Sequence, residues 1–129
     1  MDVVAELRAR EVIFHRSPPG SGRAVLEAIA APDYWEVGAS GAVYARNDVL
    51  DVVAARYAAG VGHDEPWHVR DFAVQRLSDD TWLATYGLDQ GDRITRRATI
   101  WTRHGDDWVA RYHQGTLVRD VSPEVMPPA

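Results

Sequence analysis

The chain is 129 residues long and carries a net charge of −5, from 19 acidic and 14 basic residues. That length makes one domain, taken here as residues 1–129 with an ordered core over about 3–118 and a loose, proline-containing tail at 120–129. There is no cysteine, which excludes a disulfide framework and Cys-ligated metal, no apolar run approaches the roughly 20 residues a membrane span needs, and an acidic chain with scattered arginines does not match a nucleic-acid partner.

Lysine is absent and every basic residue is arginine. The start, Met1-Asp2-Val3-Val4-Ala5-Glu6, lacks the basic and apolar regions of a signal peptide, so a cytoplasmic protein is expected. Residues 2–16 predict a helix with Val3, Val4, Leu7 and Phe14 near one face. Ser17-Pro18-Pro19-Gly20-Ser21-Gly22 predicts a linker, and 23–31 a second helix with Val25, Leu26 and Ile29 on one side, stopped by Pro32. Asp33–Gly38 reads as a short extended piece, followed by a turn at Ala39-Ser40-Gly41 and then Val43-Tyr44. Residues 46–58 predict the clearest helix, with Val49, Leu50, Val53 and Tyr57 at a 3.6-residue period.

After a loop from Gly60 to Pro66 the pattern changes to strands, at about 67–77, 81–89, 93–103 and 107–118. Their connections are short enough for antiparallel neighbours. Phe72 and Val74 share one parity and Leu77 the other, which predicts a β-bulge. Three helices followed by a four-strand meander predict an α+β fold, with helices covering one face of a curved antiparallel sheet.

Two motifs resemble functional signatures without meeting their requirements. Ser17–Gly22 has the glycines of a phosphate loop but no Lys-Ser or Lys-Thr after it. His63-Asp64-Glu65-Pro66-Trp67-His68 spaces its histidines five apart, whereas a zinc-protease helix needs them one turn apart. No metal site and no cofactor is predicted from either.

The closing hairpin, Arg93–Arg103 and Trp108–Thr116 around His104-Gly105-Asp106-Asp107, carries Thr, Arg, Tyr, His and Gln where a purely structural sheet would carry Val and Ile. Polar groups on such strands suggest the wall of a pocket. A two-residue turn at Gly105-Asp106 pairs Arg103 with Trp108, Trp101 with Ala110, Thr99 with Tyr112 and Arg97 with Gln114. The opposite set carries Ile100, Val109, Arg111 and His113. Parity alone leaves open which set lines the pocket; the first is preferred because Trp82 and Tyr86 extend it. Glu36, between Trp35 and Val37, either faces water or points inward, where it needs a partner and is expected to pair with Arg97 or to bond the Tyr/His cluster. Pairing with Arg97 would lower its pKa, and isolation beside aromatics would raise it.

These residues carry a family resemblance. The helix pair, the segment Asp33–Gly41 with Tyr44 and Arg46, then Thr99-x-Trp101 and Trp108 leading into His113-Gln114-Gly115-Thr116, resemble the nuclear transport factor 2-like superfamily, and within it the SnoaL-like, DUF4440 branch. The resemblance implies a cone of bent antiparallel strands with three helices around a cavity, often as a homodimer. The superfamily holds ketosteroid isomerases, polyketide cyclases, scytalone dehydratase, limonene epoxide hydrolase and noncatalytic binding domains. Their catalytic sets do not map residue by residue onto this chain.

The expected function is therefore a small-molecule-binding domain, with lyase or isomerase chemistry on a hydrophobic, oxygenated ligand as its enzymatic form. Glu36 and His113 are the candidate bases. Trp35, Tyr44, Tyr86, Arg97, Thr99, Trp101, Tyr112 and Gln114 are the candidate ligand contacts. The alternative is a noncatalytic dimerisation or interaction module, because Trp, Tyr and Arg also favour interfaces.

Overall fold

A computed structural model describes residues 2–11, 22–59 and 68–119. In chain order it runs α1 (Val3–Glu11), α2 (Arg23–Ile29), β1 (Ala30–Val37), β2 (Val43–Ala45), α3 (Arg46–Ala59), β3 (His68–Arg76), β4 (Thr81–Asp89), β5 (Ile94–His104) and β6 (Asp107–Leu117). The linker 17–21, the loop 60–66, Phe14, the Tyr57 side chain and the tail from 120 lie outside the described residues. No helix among those described is long and apolar enough to cross a membrane.

The strands form one six-stranded sheet in the order β2-β1-β6-β5-β4-β3. The expected meander is its β3–β6 part. Two further strands join it, and β1 lies parallel to β6, so the sheet is mixed rather than wholly antiparallel. The extra strand begins earlier than Pro32 suggests. Ala31 precedes a proline, which disfavours helical backbone there. The helix closes with Ala30 N–H donating to the Leu26 carbonyl, and Ala30 is already extended. Pro32 is tolerated inside β1 because pairing with β6 is interrupted between Ala30 and Trp35, where no ladder N–H is required.

Helices α2 and α3 are tied by Arg46, whose guanidinium donates to the carbonyls of Glu27 and Ala30 at the end of α2. Leu7, Leu26, Val49, Leu50 and Val53 from the helices pack on Tyr34, Ala84, Trp101, Trp108 and Ala110 from one face of the sheet. Trp82 and Trp108 meet edge to face, with centroids 5.0 Å apart. Burial of this set supplies the main driving force for the fold.

Besides the interruption in the β1–β6 pairing, two further register shifts bend the sheet among the described strands. One falls between Arg70 and Ala73, with Asp71 in the left-handed region at φ 54°. It lies upstream of the parity change that predicted it, and Leu77 is outside the strand and half exposed. The other lies in the closing hairpin and decides the site. The pairs Arg103–Trp108 and Trp101–Ala110 form as expected, but Ile100 then pairs with Tyr112, Thr99 with His113 and Arg97 with Gly115. Arg111 is the inserted residue. A one-residue shift reverses which side chains face the core, so the expected pairs Thr99–Tyr112 and Arg97–Gln114 do not form.

Candidate functional site

Because of that bulge, the inner face combines half of each expected set. Trp101, Thr99 and Arg97 remain on it from β5, joined by His113 and Gly115 from β6. Across the sheet, Glu36 on β1 is level with His113, which pairs with Thr99, which pairs with Ala84 on β4. In the neighbouring row Gly115 pairs with Arg97 and Arg97 with Tyr86.

At the centre is a residue that the pattern reading passed over. Glu11 sits at the end of α1, four residues after Leu7 on the buried side, and is only 2% exposed. Its Oε1 accepts hydrogen bonds from the Tyr86 hydroxyl and the Thr99 hydroxyl, both at 2.7 Å. Its Oε2 accepts from the Trp101 indole N–H at 2.6 Å. Burial raises its pKa to about 7, against the lowering pull of those three donors and of Arg97. Val3, Leu7 and Phe14 define an apolar stripe at helical spacing, and an acidic residue inside that stripe was the available signal.

His113 is 1% exposed, and its Nδ1 lies 2.7 Å from the Thr99 hydroxyl and 3.8 Å from Glu11 Oε1. Burial, reinforced by Arg97, pushes its pKa down to about 3. His113 is therefore neutral at physiological pH, and its proximity to Glu11 is not an ion pair. Thr99 has a single hydroxyl hydrogen. While that hydrogen goes to Glu11, Nδ1 of His113 must be the donor to Thr99. The three side chains form one directed chain, His113 to Thr99 to Glu11.

Glu36 lies nearer the rim and is half-buried. Its Oε1 accepts from the Tyr34 hydroxyl at 2.8 Å. Burial raises its pKa, opposed by the Tyr34 bond and the positive charges of Arg97 and Arg56. Burial also pushes the Tyr34 and Tyr86 hydroxyls well above their ordinary range, with Glu36 and Glu11 respectively adding to the effect. Both tyrosines are therefore neutral donors. Arg97 donates from Nε to the Thr95 hydroxyl at 2.9 Å. Its guanidinium has no carboxylate within ion-pair distance among the described residues, so of the two arrangements expected for an inward Glu36 the pair with Arg97 does not form, and a tyrosine hydroxyl, that of Tyr34, is its partner. Burial depresses its pKa, and Arg93 and Arg56 add repulsion.

Gly115 makes room for Arg97. A Cβ at that position would lie 2.5 Å from Nη1 of the guanidinium. The structure thus gathers Glu36, His113, Tyr86, Arg97, Thr99 and Trp101 on one side. Tyr44 is partly buried and packs against the core. Trp35, Tyr112 and Gln114, expected as ligand contacts, are on the other face. There Trp35 packs on Tyr112 at 4.7 Å, and the Tyr112 hydroxyl donates to Gln114. Among the described residues no group of three His, Asp or Glu could hold a metal ion.

No family model matches the chain, and no curated protein matches its sequence. Solved structures do match it. A nuclear transport factor 2-like protein of unknown function in nutrient uptake from Rhodospirillum rubrum is 21% identical, with 92% of this chain and 100% of that one covered and a TM-score of 0.66. A candidate ketosteroid isomerase from Parabacteroides distasonis is 12% identical, covering 94% and 92%, with a TM-score of 0.68. A nuclear transport factor 2-like protein from Cytophaga hutchinsonii is 16% identical, covering 92% and 100%, with a TM-score of 0.64. The chain has the nuclear transport factor 2-like, cystatin-like fold.

Proposed function

We propose that this protein binds a small, hydrophobic, oxygenated molecule against the inner face of its sheet and acts on it by proton transfer, as a lyase or an isomerase. The observation that carries this reading is the pairing of roles at the rim. Glu36 is a half-buried carboxyl with a raised proton affinity and one side-chain partner, Tyr34. Beside it, the end of the Arg97 guanidinium has no carboxylate of its own among the described residues. A carboxylate takes a proton from the carbon next to a carbonyl, the electron pair moves onto the carbonyl oxygen, and a guanidinium holds that oxygen as charge develops. Return of the proton at another carbon completes an isomerisation; loss of a leaving group completes an elimination. His113 is assigned a positioning role, because a buried imidazole held neutral down to about pH 3 is a poor base. The hairpin pattern around His113-Gln114-Gly115-Thr116 supports placing the chain in the SnoaL-like, DUF4440 branch.

The test is deuterium exchange. The protein is incubated in D2O with a panel of cyclic ketones and unsaturated carbonyl compounds, and carbon-bound deuterium is followed by NMR. Exchange should fall by a factor of about 100 or more in Glu36→Gln. Equal exchange by wild type and variant would remove Glu36 from the chemistry.

A specific observation also favours assembly as a homodimer. Trp101 and Trp108 are buried in the core, but Trp35 is 46% exposed and stacked on Tyr112 on the outer face. Such an aromatic pair is suited to an interface. Light scattering at micromolar concentration should show a dimer, reduced to monomer by Trp35→Arg. A wild-type particle of 14.4 kDa would refute it.

A further inference from the structure

An open depression of about 550 Å³ lies at one end of the sheet, outside the site just described. Its walls are the β1–β2 turn, Arg93 at the start of β5, the end of β6 and Arg119. We infer that this depression binds the carboxylate group of a small organic acid.

Charge is the first argument. Among the described residues no acidic side chain lines the depression, although the chain has more acidic than basic residues. Elsewhere, Arg23, Arg70, Arg76, Arg103 and Arg111 each have a carboxylate partner. Arg93 and Arg119 have none among the described residues. Both are exposed. Arg97 adds a third positive charge from beneath, because its guanidinium lies against Gly115, which is part of the wall. Arg93 and Arg97 are close enough to repel. Like charges gathered with no carboxylate at ion-pair distance are costly, and a bound anion relieves that cost while accepting charge-assisted hydrogen bonds.

The uncharged part of the wall sets the ligand class. Val37, Ala39 and Leu117 offer apolar surface beside the arginines, and Ser40 and Thr116 offer hydroxyls. An inorganic anion leaves the apolar surface unused. An organic acid covers it with its hydrocarbon part while the guanidinium groups take the carboxylate.

The inference is independent of Glu36 acting as a base. The test uses the full chain, benzoate as probe, and the backbone amide signals of Gly38, Gly41 and Gly115. Benzoate should shift these signals saturably, and the uncharged analogue benzamide and inorganic phosphate should not. The double variant Arg93→Gln/Arg119→Gln should bind benzoate about tenfold more weakly, whereas Glu36→Gln, which removes a negative charge near Arg97, should bind it at least as tightly as wild type does. Absence of saturable shifts, equal binding by the double variant, or equal binding of benzamide or phosphate would each overturn the assignment. Loss of deuterium exchange in Glu36→Gln with benzoate binding retained supports both readings. Retained exchange in Glu36→Gln refutes only the base.

Discussion

Replacing Glu11 by Gln should change how stability depends on pH, and the change follows from the burial of Glu11 and His113. Glu11 has its pKa raised from 4.5 to about 7. A raised folded-state pKa means that stability is fully present below the unfolded value and is lost as pH climbs to the folded one. At about 1.4 kcal/mol per tenfold, that loss is roughly 3 kcal/mol between pH 4.5 and 7. His113 has its pKa lowered from 6.5 to about 3. Its contribution runs the other way, present above pH 6.5 and lost as pH falls toward 3, by roughly 5 kcal/mol. Between pH 4.5 and 6.5 the two slopes cancel, and these groups leave wild-type stability flat. In Glu11→Gln only the His113 slope survives. The amide can keep every bond: its oxygen accepts from Trp101, its NH2 donates to Tyr86 and Thr99, and Thr99 turns its hydrogen toward His113. Urea denaturation from pH 4.5 to 8 should therefore show the variant gaining roughly 3 kcal/mol on wild type as pH rises to 7. A difference between the two proteins that stays constant across this range would refute the burial argument, whatever its absolute value.

Thr99→Val removes the hydroxyl that joins Glu11 to His113 while keeping the shape. It should cost about 1–3 kcal/mol at pH 7 and raise the Glu11 pKa further, since the Thr99 bond holds it down; a carboxyl infrared band unchanged in its titration would contradict this. Arg97→Met takes away a charge that lowers the Glu36 pKa. The pH midpoint of deuterium exchange should then move upward, and the rate above it should fall as the developing oxyanion loses its donor. A midpoint that moves downward would reverse the electrostatic assignment.

The strand positions β3 to β6, the short connections between them and helix α3 were legible in the sequence because each depends on local chemistry. Gly105 at φ 62° supplies the positive φ of a tight hairpin turn, and the alternation on either side sets the strands. Glu36 could be singled out because a charge inside Trp35-Glu36-Val37 needs a partner wherever that segment packs. The inner face of the closing hairpin was decided by tertiary structure. The inserted Arg111 turns Tyr112 and Gln114 outward and His113 inward, and no local signal distinguishes that bulge from a regular ladder. Glu11 was hidden for a related reason. Its three hydrogen-bond donors lie 75 to 90 residues away in sequence, so a buried carboxyl that is costly when read on its helix alone becomes acceptable only once the sheet has brought Tyr86, Thr99 and Trp101 to it.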